Sequence, residues 1–447
     1  MDIRKRVVVI GAGPVGLAAA AHVLERGMRP VVFEAGPHVG HAIRQWGHVR
    51  LFSPWEYNVD NAARRLLAPT GWTSPDPQAY PTGRERVERY LEPLANATAL
   101  REAILTSSRV TGVTRQGIDK LKSAGRAAAS FEIRYEYSAS PDGPEETTIL
   151  AEAVIDASGT WFSPNPAGAS GLYAIGEKLA ADRVAYAMPD VLGADRARYA
   201  GKTVAVLGAG HSAIGTMTDL AHLKTQAPGT DVVWLLRGDD PAKAFGGGAN
   251  DKLSARGALG EAFSGLIAAG QIRVEAAFRT THLTADGGRL RIGAGSARCG
   301  RAVVVDELVV ATGFRPDLGF LRELRIQLDA AVECPIPLAP LIDPNIHSCG
   351  TVRPHGAQEL AQAEQGFYLA GIKSYGRAPT FLMMTGYEQV RSIAAELADD
   401  LDAARRVELV LPETGVCSRG GVEGAAVSCC AADTTAERVA ETACGCS

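Results

Sequence analysis

Twice in this chain an apolar strand runs into a glycine-rich turn and then a helix, and no other feature constrains the fold as tightly. The first copy is RVVVIGAGPVGLAAAAHVLERGMRPVVFEAG, residues 6–36. Val7 to Ile10 form an unbroken apolar run, the pattern of a strand buried on both faces of a parallel sheet. Gly11, Gly13, Pro14 and Gly16 make up the turn. Its glycines divide three tasks: the tight turn, approach of backbone to a pyrophosphate, and close packing of helix on strand. The helix start offers unpaired N–H groups and the positive end of its dipole to phosphate. The next strand, Val31 to Phe33, ends in Glu34, eighteen residues after Gly16. A carboxylate there accepts both ribose hydroxyls and would repel a 2′-phosphate, so this copy suits the adenosine half of FAD or NAD.

The second copy is KTVAVLGAGHSAIGTMTDLAHLKTQAPGTDVVWLLR, residues 202–237, with Gly208, Gly210 and Ala213 as GxGxxA. Ser212, near the head of the helix, is placed either to cap it or to touch phosphate. The second strand, Val232 to Leu236, ends in Arg237 instead of an acid. A guanidinium can grip a 2′-phosphate with two hydrogen bonds, which points to NADPH; the plainer reading is a solvated arginine at a strand end. Two nucleotide sites of opposite preference imply hydride passing from NADPH to FAD.

Charge and composition exclude other classes. The 46 Lys+Arg against 50 Asp+Glu leave a formal −4, with no large basic block, so neither nucleic acid nor an acidic membrane is expected as a partner. No run of 18 apolar residues predicts a bilayer span. The start, MDIRKRVVVIGAG, has the look of a leader, but its apolar stretch is broken by the glycine turn. The expected location is cytoplasmic, and the expected partners are a small-molecule substrate and a second copy of the chain. In a reducing compartment cysteines serve metal binding or redox chemistry rather than cross-linking.

The pieces GAGPVG (11–16), GAGHSA (208–213), VIDASGTW (Val154 to Trp161) and ELVVATGFRPD (Glu307 to Asp317) carry a family resemblance over residues 5 to 400. The chain resembles the flavin-dependent oxidoreductases with two dinucleotide-binding domains, and among them most of all the class B flavin monooxygenases. That resemblance implies an α/β fold of two Rossmann-like domains of the glutathione reductase type, with a small antiparallel β-meander in the FAD half. Residues 1–166 and 333–402 would form the FAD-binding domain, 167–332 the inserted NADPH-binding domain, and 403–447 a cysteine-rich tail. The stretch 114–149, with its Pro-Asp-Gly turn, reads as the meander. The chemistry implied is reduction of FAD by NADPH, addition of O₂ at flavin C4a, and transfer of the distal oxygen to a soft nucleophile. Two departures stand out. GASGLYAIGEKLAADRVAYAM, residues 168–188, lacks the FxGxxxHxxxW/Y fingerprint, and Gly371-Ile372 stands where Gly-Asp usually binds the ribityl chain.

Disulfide and metal reductases share this architecture but pass electrons through CxxC or CxxxxC. Cys299, Cys334 and Cys349 supply no such pair, although Cys349 in IHSCGTVRPHG could lie near the flavin by fold. Candidate catalytic groups fall in two loops. WGHVRLFSPWEYNVD (46–60) offers Trp55 as a wall for the flavin and Asn58 as an amide donor, against core packing and a turn role. KSYGRAP (373–379) offers Lys373 and Arg377 as cations favouring reduced flavin, against a surface ion pair. His355 is either a structural hydrogen-bonder or part of a functional loop, and AFGGGAND (244–251) either a lid or an ordinary connection.

The tail carries Cys417, Cys429, Cys430, Cys444 and Cys446 in a small, polar setting that predicts mobility. Such thiols suit soft ions, and the CxxC spacing usual for zinc is absent. Cysteine-rich ends of this kind resemble those of arsenic-handling proteins and mercuric reductase. The expected function is therefore an NADPH-dependent, FAD-containing monooxygenase acting on a soft nucleophile, a trivalent arsenical among the candidates. A thiol or metalloid reductase, a redox sensor or metallochaperone, and an inert tail remain the alternatives.

Overall fold

A computed structural model of the protein describes residues 5–409 other than 141–142, 246–253, 297–299, 347–351 and 380. The five tail cysteines, Cys299, Cys349 and most of the glycine run after Ala244 lie outside the described residues.

The first glycine turn sits at the centre of a parallel sheet. β1 (Arg6–Ile10) is flanked by β2 (Arg29–Phe33) and by β7 (Ala153–Asp156), both parallel to it. β3 (Ile104–Leu105) and β16 (Phe367–Leu369) complete the order β16-β7-β1-β2-β3. A strand covered on both faces must be apolar throughout, and Val7, Val8 and Val9 are buried accordingly. α1 (Pro14–Glu25) returns from β1 to β2, and its run of buried alanines lets it lie close to the sheet. Pro14 fits at its first turn because the missing N–H has no helical acceptor there. The expected meander is present as β4 (Ser108–Arg115), β5 (Phe131–Tyr137) and β6 (Glu145–Ala151), an antiparallel sheet. Its Val113, Phe131 and Ile133 pack with Val8, Ile10 and Phe33.

The second turn is built the same way. β9 (Thr203–Leu207) is central between β10 (Asp231–Leu235) and β15 (Glu307–Val310). β11 (Ile272–Glu275) and β8 (Val184–Tyr186) lie at the edges, giving β11-β10-β9-β15-β8. α2 (His211–Gln226) joins β9 to β10. An antiparallel sheet of β12 (Thr280–Asp286), β13 (Arg289–Ala294) and β14 (Arg301–Val305) adds to this half and was not foreseen. Leu283, Leu290 and Ile292 tie it to Ala205 and Leu207 of the parallel sheet.

The chain returns to the first half earlier than the 332/333 boundary expected from sequence. Leu321 and Leu324 are fully buried with Val8, Phe33 and Leu369, so the crossing falls at 311–317. Glu364 reinforces that attachment, accepting from Arg115 (2.8 Å), Arg126 (2.7 Å) and the backbone N–H of Arg325 (3.0 Å). The outgoing and returning crossings pair with each other. Asn165 N–H donates to the Gly313 carbonyl and Arg315 N–H to that of Ser163, each at 2.9 Å. α3 (Met383–Leu397) closes the first half by packing on α1.

Candidate functional site

Each glycine turn faces the strand that precedes a crossing. Gly11 has φ +99°, and a Cβ added there would lie 2.8 Å from the Ala157 carbonyl oxygen. Gly208 has φ +142°, and its added Cβ would lie 2.3 Å from the Ala311 carbonyl. Both positions therefore demand glycine on conformational and steric grounds. Gly16 is excluded from bearing a side chain because its Cβ would sit 1.9 Å from the Gly11 carbonyl. Ala213, the third position of the second copy, is buried at the corresponding contact.

The middle glycines differ in kind. An added Cβ at Gly13 or Gly210 meets no heavy atom within 4 Å. These two residues are the N-caps of α1 and α2, with no side-chain cap and no acidic residue in either first turn. Unpaired N–H groups at the positive end of a helix, beside open space and with no acid in the helix's own first turn, form a cradle for a pyrophosphate. The Ser212 hydroxyl caps no N–H at the start of α2, and its carbonyl accepts from the Thr216 hydroxyl at 2.9 Å.

The two sites diverge at the ends of their second strands. Glu34 is buried; its carboxylate accepts from Ala12 N–H (3.1 Å) and Gly36 N–H (2.8 Å), which brings it over the glycine turn. Burial raises its pKa, and these two N–H groups oppose that rise. A carboxylate held this way, without an ion-pair partner among the described residues, fits neutral ribose hydroxyls. Arg237 is exposed and lines a cleft of about 780 Å³ together with Arg279. The donor sets thus fit a dinucleotide without a 2′-phosphate in the first cleft and one with it in the second.

The residues expected to act on the flavin are placed otherwise. Asn58 has no exposed surface, and its Nδ2 donates to the carbonyls of Ser53 (2.9 Å) and Pro54 (2.8 Å) while Oδ1 accepts from Arg86 (3.2 Å). Its amide satisfies turn carbonyls that would otherwise be buried unpaired, so it is not free to donate to a reacting group. Trp55 is 2% exposed and belongs to the core beside Val59 and Leu67. Arg377 is exposed and is anchored by its backbone N–H on the Val332 carbonyl (2.6 Å). Lys373 is neither a free cation nor a surface pair. Its Nζ lies 2.7 Å from Asp156 Oδ2 and donates to Ser158 Oγ at 2.9 Å, with both charged groups at most 1% exposed.

Asp156 is the partner that sequence reasoning missed. It ends β7, and its Oδ1 accepts from the N–H (3.0 Å) and hydroxyl (2.7 Å) of Ser158. Asp156 and Lys373 thereby fix the Ala157–Ser158 turn that presses on Gly11. The signal was the single acid in VIDASG, an apolar strand otherwise.

A second network holds Gly371, which has φ +70°. Its N–H donates to Gln389 Oε1 (2.8 Å), while Gln389 Nε2 contacts His355 Nε2 (2.9 Å) and Ser374 Oγ (3.0 Å). An amide nitrogen can only donate, so His355 Nε2 accepts and Nδ1–H donates to the Arg353 carbonyl (3.1 Å). Burial lowers the His355 pKa from its ordinary 6.5, with the Arg353 carbonyl, Glu359 and Glu388 opposing and the Arg353 charge adding to the fall. Below its unfolded pKa the unfolded chain binds this proton and the folded chain does not. Stability is therefore expected to fall with pH from about 6.5 down to the folded pKa, by at most about 1.4 kcal/mol per pH unit for one proton. Denaturant titrations of wild type and His355→Gln across that range check this; the substitution should remove that part of the slope.

A family model described as pyridine nucleotide-disulphide oxidoreductase matches residues 8–122. No curated protein sequence matches the chain significantly. Among solved structures, the bacillithiol disulfide reductase Bdr (YpdA) of Bacillus cereus is 19% identical with a TM-score of 0.65, covering 88% of this chain and 98% of its own. The cadaverine monooxygenase DfoA of Erwinia amylovora, solved bound to FAD, is 14% identical with a TM-score of 0.62, covering 92% and 99%. The ornithine N-hydroxylase of Kutzneria sp. 744 is 17% identical with a TM-score of 0.57, covering 90% and 99%. Likeness at such identities is likeness of fold. The fold is that of the two-domain FAD/NAD(P) oxidoreductases, as the sequence predicted.

Proposed function

We propose that this protein is an NADPH-dependent, FAD-containing oxidoreductase that acts as a monooxygenase on a soft nucleophile. The observation that carries the cofactor reading is the contrast between Glu34 and Arg237 at equivalent strand ends of two equivalent clefts. FAD, when bound, supplies two-electron acceptance from the dihydronicotinamide and reactivity toward O₂. The chain's own residues bind and orient. Glu34 accepts the ribose hydroxyls, and the first turns of α1 and α2 hold the two pyrophosphates. Asp156 and Lys373 keep the turn against Gly11 in place. The overall change is balanced as NADPH, a proton, O₂ and substrate giving NADP⁺, water and the oxygenated substrate.

Cys334 offers a reductase no reactive thiol. It is the one cysteine within the described residues, fully buried, with its thiol pushed up to about 12 by that burial. A buried protonated thiol cannot relay electrons, because the thiolate is the reactive form. The competing reading, a thiol or metalloid reductase, is favoured by the family model over residues 8–122 and by the likeness to the bacillithiol disulfide reductase fold. Five tail cysteines make a trivalent arsenical the soft nucleophile to try first. Small-molecule turnover in the cytoplasm by a homodimer belongs to the same proposal. Among the described residues no helix is long and apolar enough to cross a membrane.

An oxygen electrode tests the choice. With NADPH and substrate present, O₂ and NADPH should disappear in equal amounts as oxygenated product accumulates. NADPH oxidation by a disulfide or metalloid under anaerobic conditions, without oxygenated product in air, would replace the monooxygenase by the reductase.

A further inference from the structure

We propose that Arg279 and the hydroxyl of Thr280 complete, with Arg237, a site for a phosphomonoester on the 2′ carbon of adenosine, with the 168–175 segment as the wall for the adenine ring. The inference rests on the NADPH reading of the second cleft and adds residues that its glycine motif does not contain.

Arg237 follows β10 and Arg279 lies between β11 and β12. β10 and β11 are parallel neighbours, so both arginines emerge at the same edge of the sheet, the carboxyl ends of its strands, where such sheets bind ligands. Both line the cleft of about 780 Å³. Both are exposed, and neither guanidinium makes an ion pair or hydrogen bond among the described residues. Two unpaired cations at one cleft mouth repel each other unless an anion lies between them. An independent observation comes from the next residue. Thr280 also lines the cleft and is 2% exposed, yet its Oγ1 is buried with no hydrogen-bond partner. Buried hydroxyls ordinarily have partners, so this orphan marks a place for a ligand acceptor.

The opposite wall is prearranged and apolar. Ala169 N–H donates to the Thr280 carbonyl and Ile175 N–H to that of Thr281, each at 2.9 Å, which ties both ends of the segment to the start of β12. Between those ties Leu172 is 72% and Tyr173 52% exposed. Lys178 Nζ lies 4.6 Å from the centre of the Tyr173 ring, adding a third cation beside the cleft. A flat heteroaromatic ring covers such a surface by stacking, while its attached phosphate meets the guanidinium forks.

Isothermal titration of the flavin-loaded protein with adenosine 2′,5′-bisphosphate and with 5′-AMP tests this without turnover. Arg279→Ala should weaken bisphosphate binding by about tenfold or more, the usual loss for a charge-assisted pair, and leave 5′-AMP binding within about twofold. Arg279→Lys should fall between, because it keeps the charge and loses the fork. Thr280→Val should weaken the bisphosphate alone, and Tyr173→Ala both ligands. Should Arg237→Ala lose the bisphosphate while Arg279→Ala binds it as wild type does, Arg279 is excluded and the NADPH reading stands. Should wild type bind the two ligands equally, the 2′-phosphate reading fails and the proposal with it.

Discussion

Lys373→Met is expected to destabilise the protein by about 3–5 kcal/mol, measured by denaturant unfolding at neutral pH, since removing one member of a buried ion pair strands the other. The Asp156 carboxylate is fully buried, and among the described residues its other partners are the hydroxyl and N–H of Ser158, neither of which carries charge. Asp156→Asn combined with Lys373→Met should recover most of the loss, because a neutral amide no longer needs a counter-ion. A single variant as stable as wild type would mean that the pair contributes nothing. The same variant should also weaken flavin retention, because the pair holds the Ala157–Ser158 turn against Gly11.

Glu34→Arg should yield a colourless protein. On the proposed reading the substitution removes the acceptor for two ribose hydroxyls, each such charge-assisted bond being worth about 1.5–3 kcal/mol, so FAD affinity should fall by about 10²–10⁴-fold. Visible flavin absorbance of the purified variant, and its recovery after incubation with excess FAD, provide the measurement. Because Glu34 also accepts from Ala12 and Gly36, Glu34→Gln serves as the control: it keeps an acceptor and should retain part of the flavin. A fully yellow Glu34→Arg protein would overturn the assignment of the first cleft.

The two glycine turns, their strands and the small meander were legible because each follows from local rules: unbroken apolar runs, glycine spacing, and a Pro-Asp-Gly turn. Side-chain tasks in the loops were not legible in the same way. Asn58 and Trp55 occur in a stretch whose residue types suit a cofactor wall equally well as a tight turn over a core, and only packing decides between them. Lys373 looked like a free cation because its partner lies 217 positions earlier in the chain, across the β7–β16 pair. The early return of the chain at 311–317 was missed because Leu321 and Leu324 carry no periodic signal in so short a segment. Arg279 sits alone in sequence and gains meaning beside Arg237.

The pairing of the outgoing and returning crossings has a mechanical consequence. Two separate tethers would let one half of the molecule tilt in several directions about the other. Backbone hydrogen bonds between Asn165 and Gly313, and between Ser163 and Arg315, merge the tethers into one ribbon. A ribbon resists bending in its own plane, so the directions of tilt left to the halves are flexing across that plane and torsion about its long axis. Trp161 and Phe314, next to those bonds, bring their rings to 5.1 Å, and Trp161 meets Trp46 of the first half at 6.2 Å, so these ring contacts would shift as the ribbon deforms.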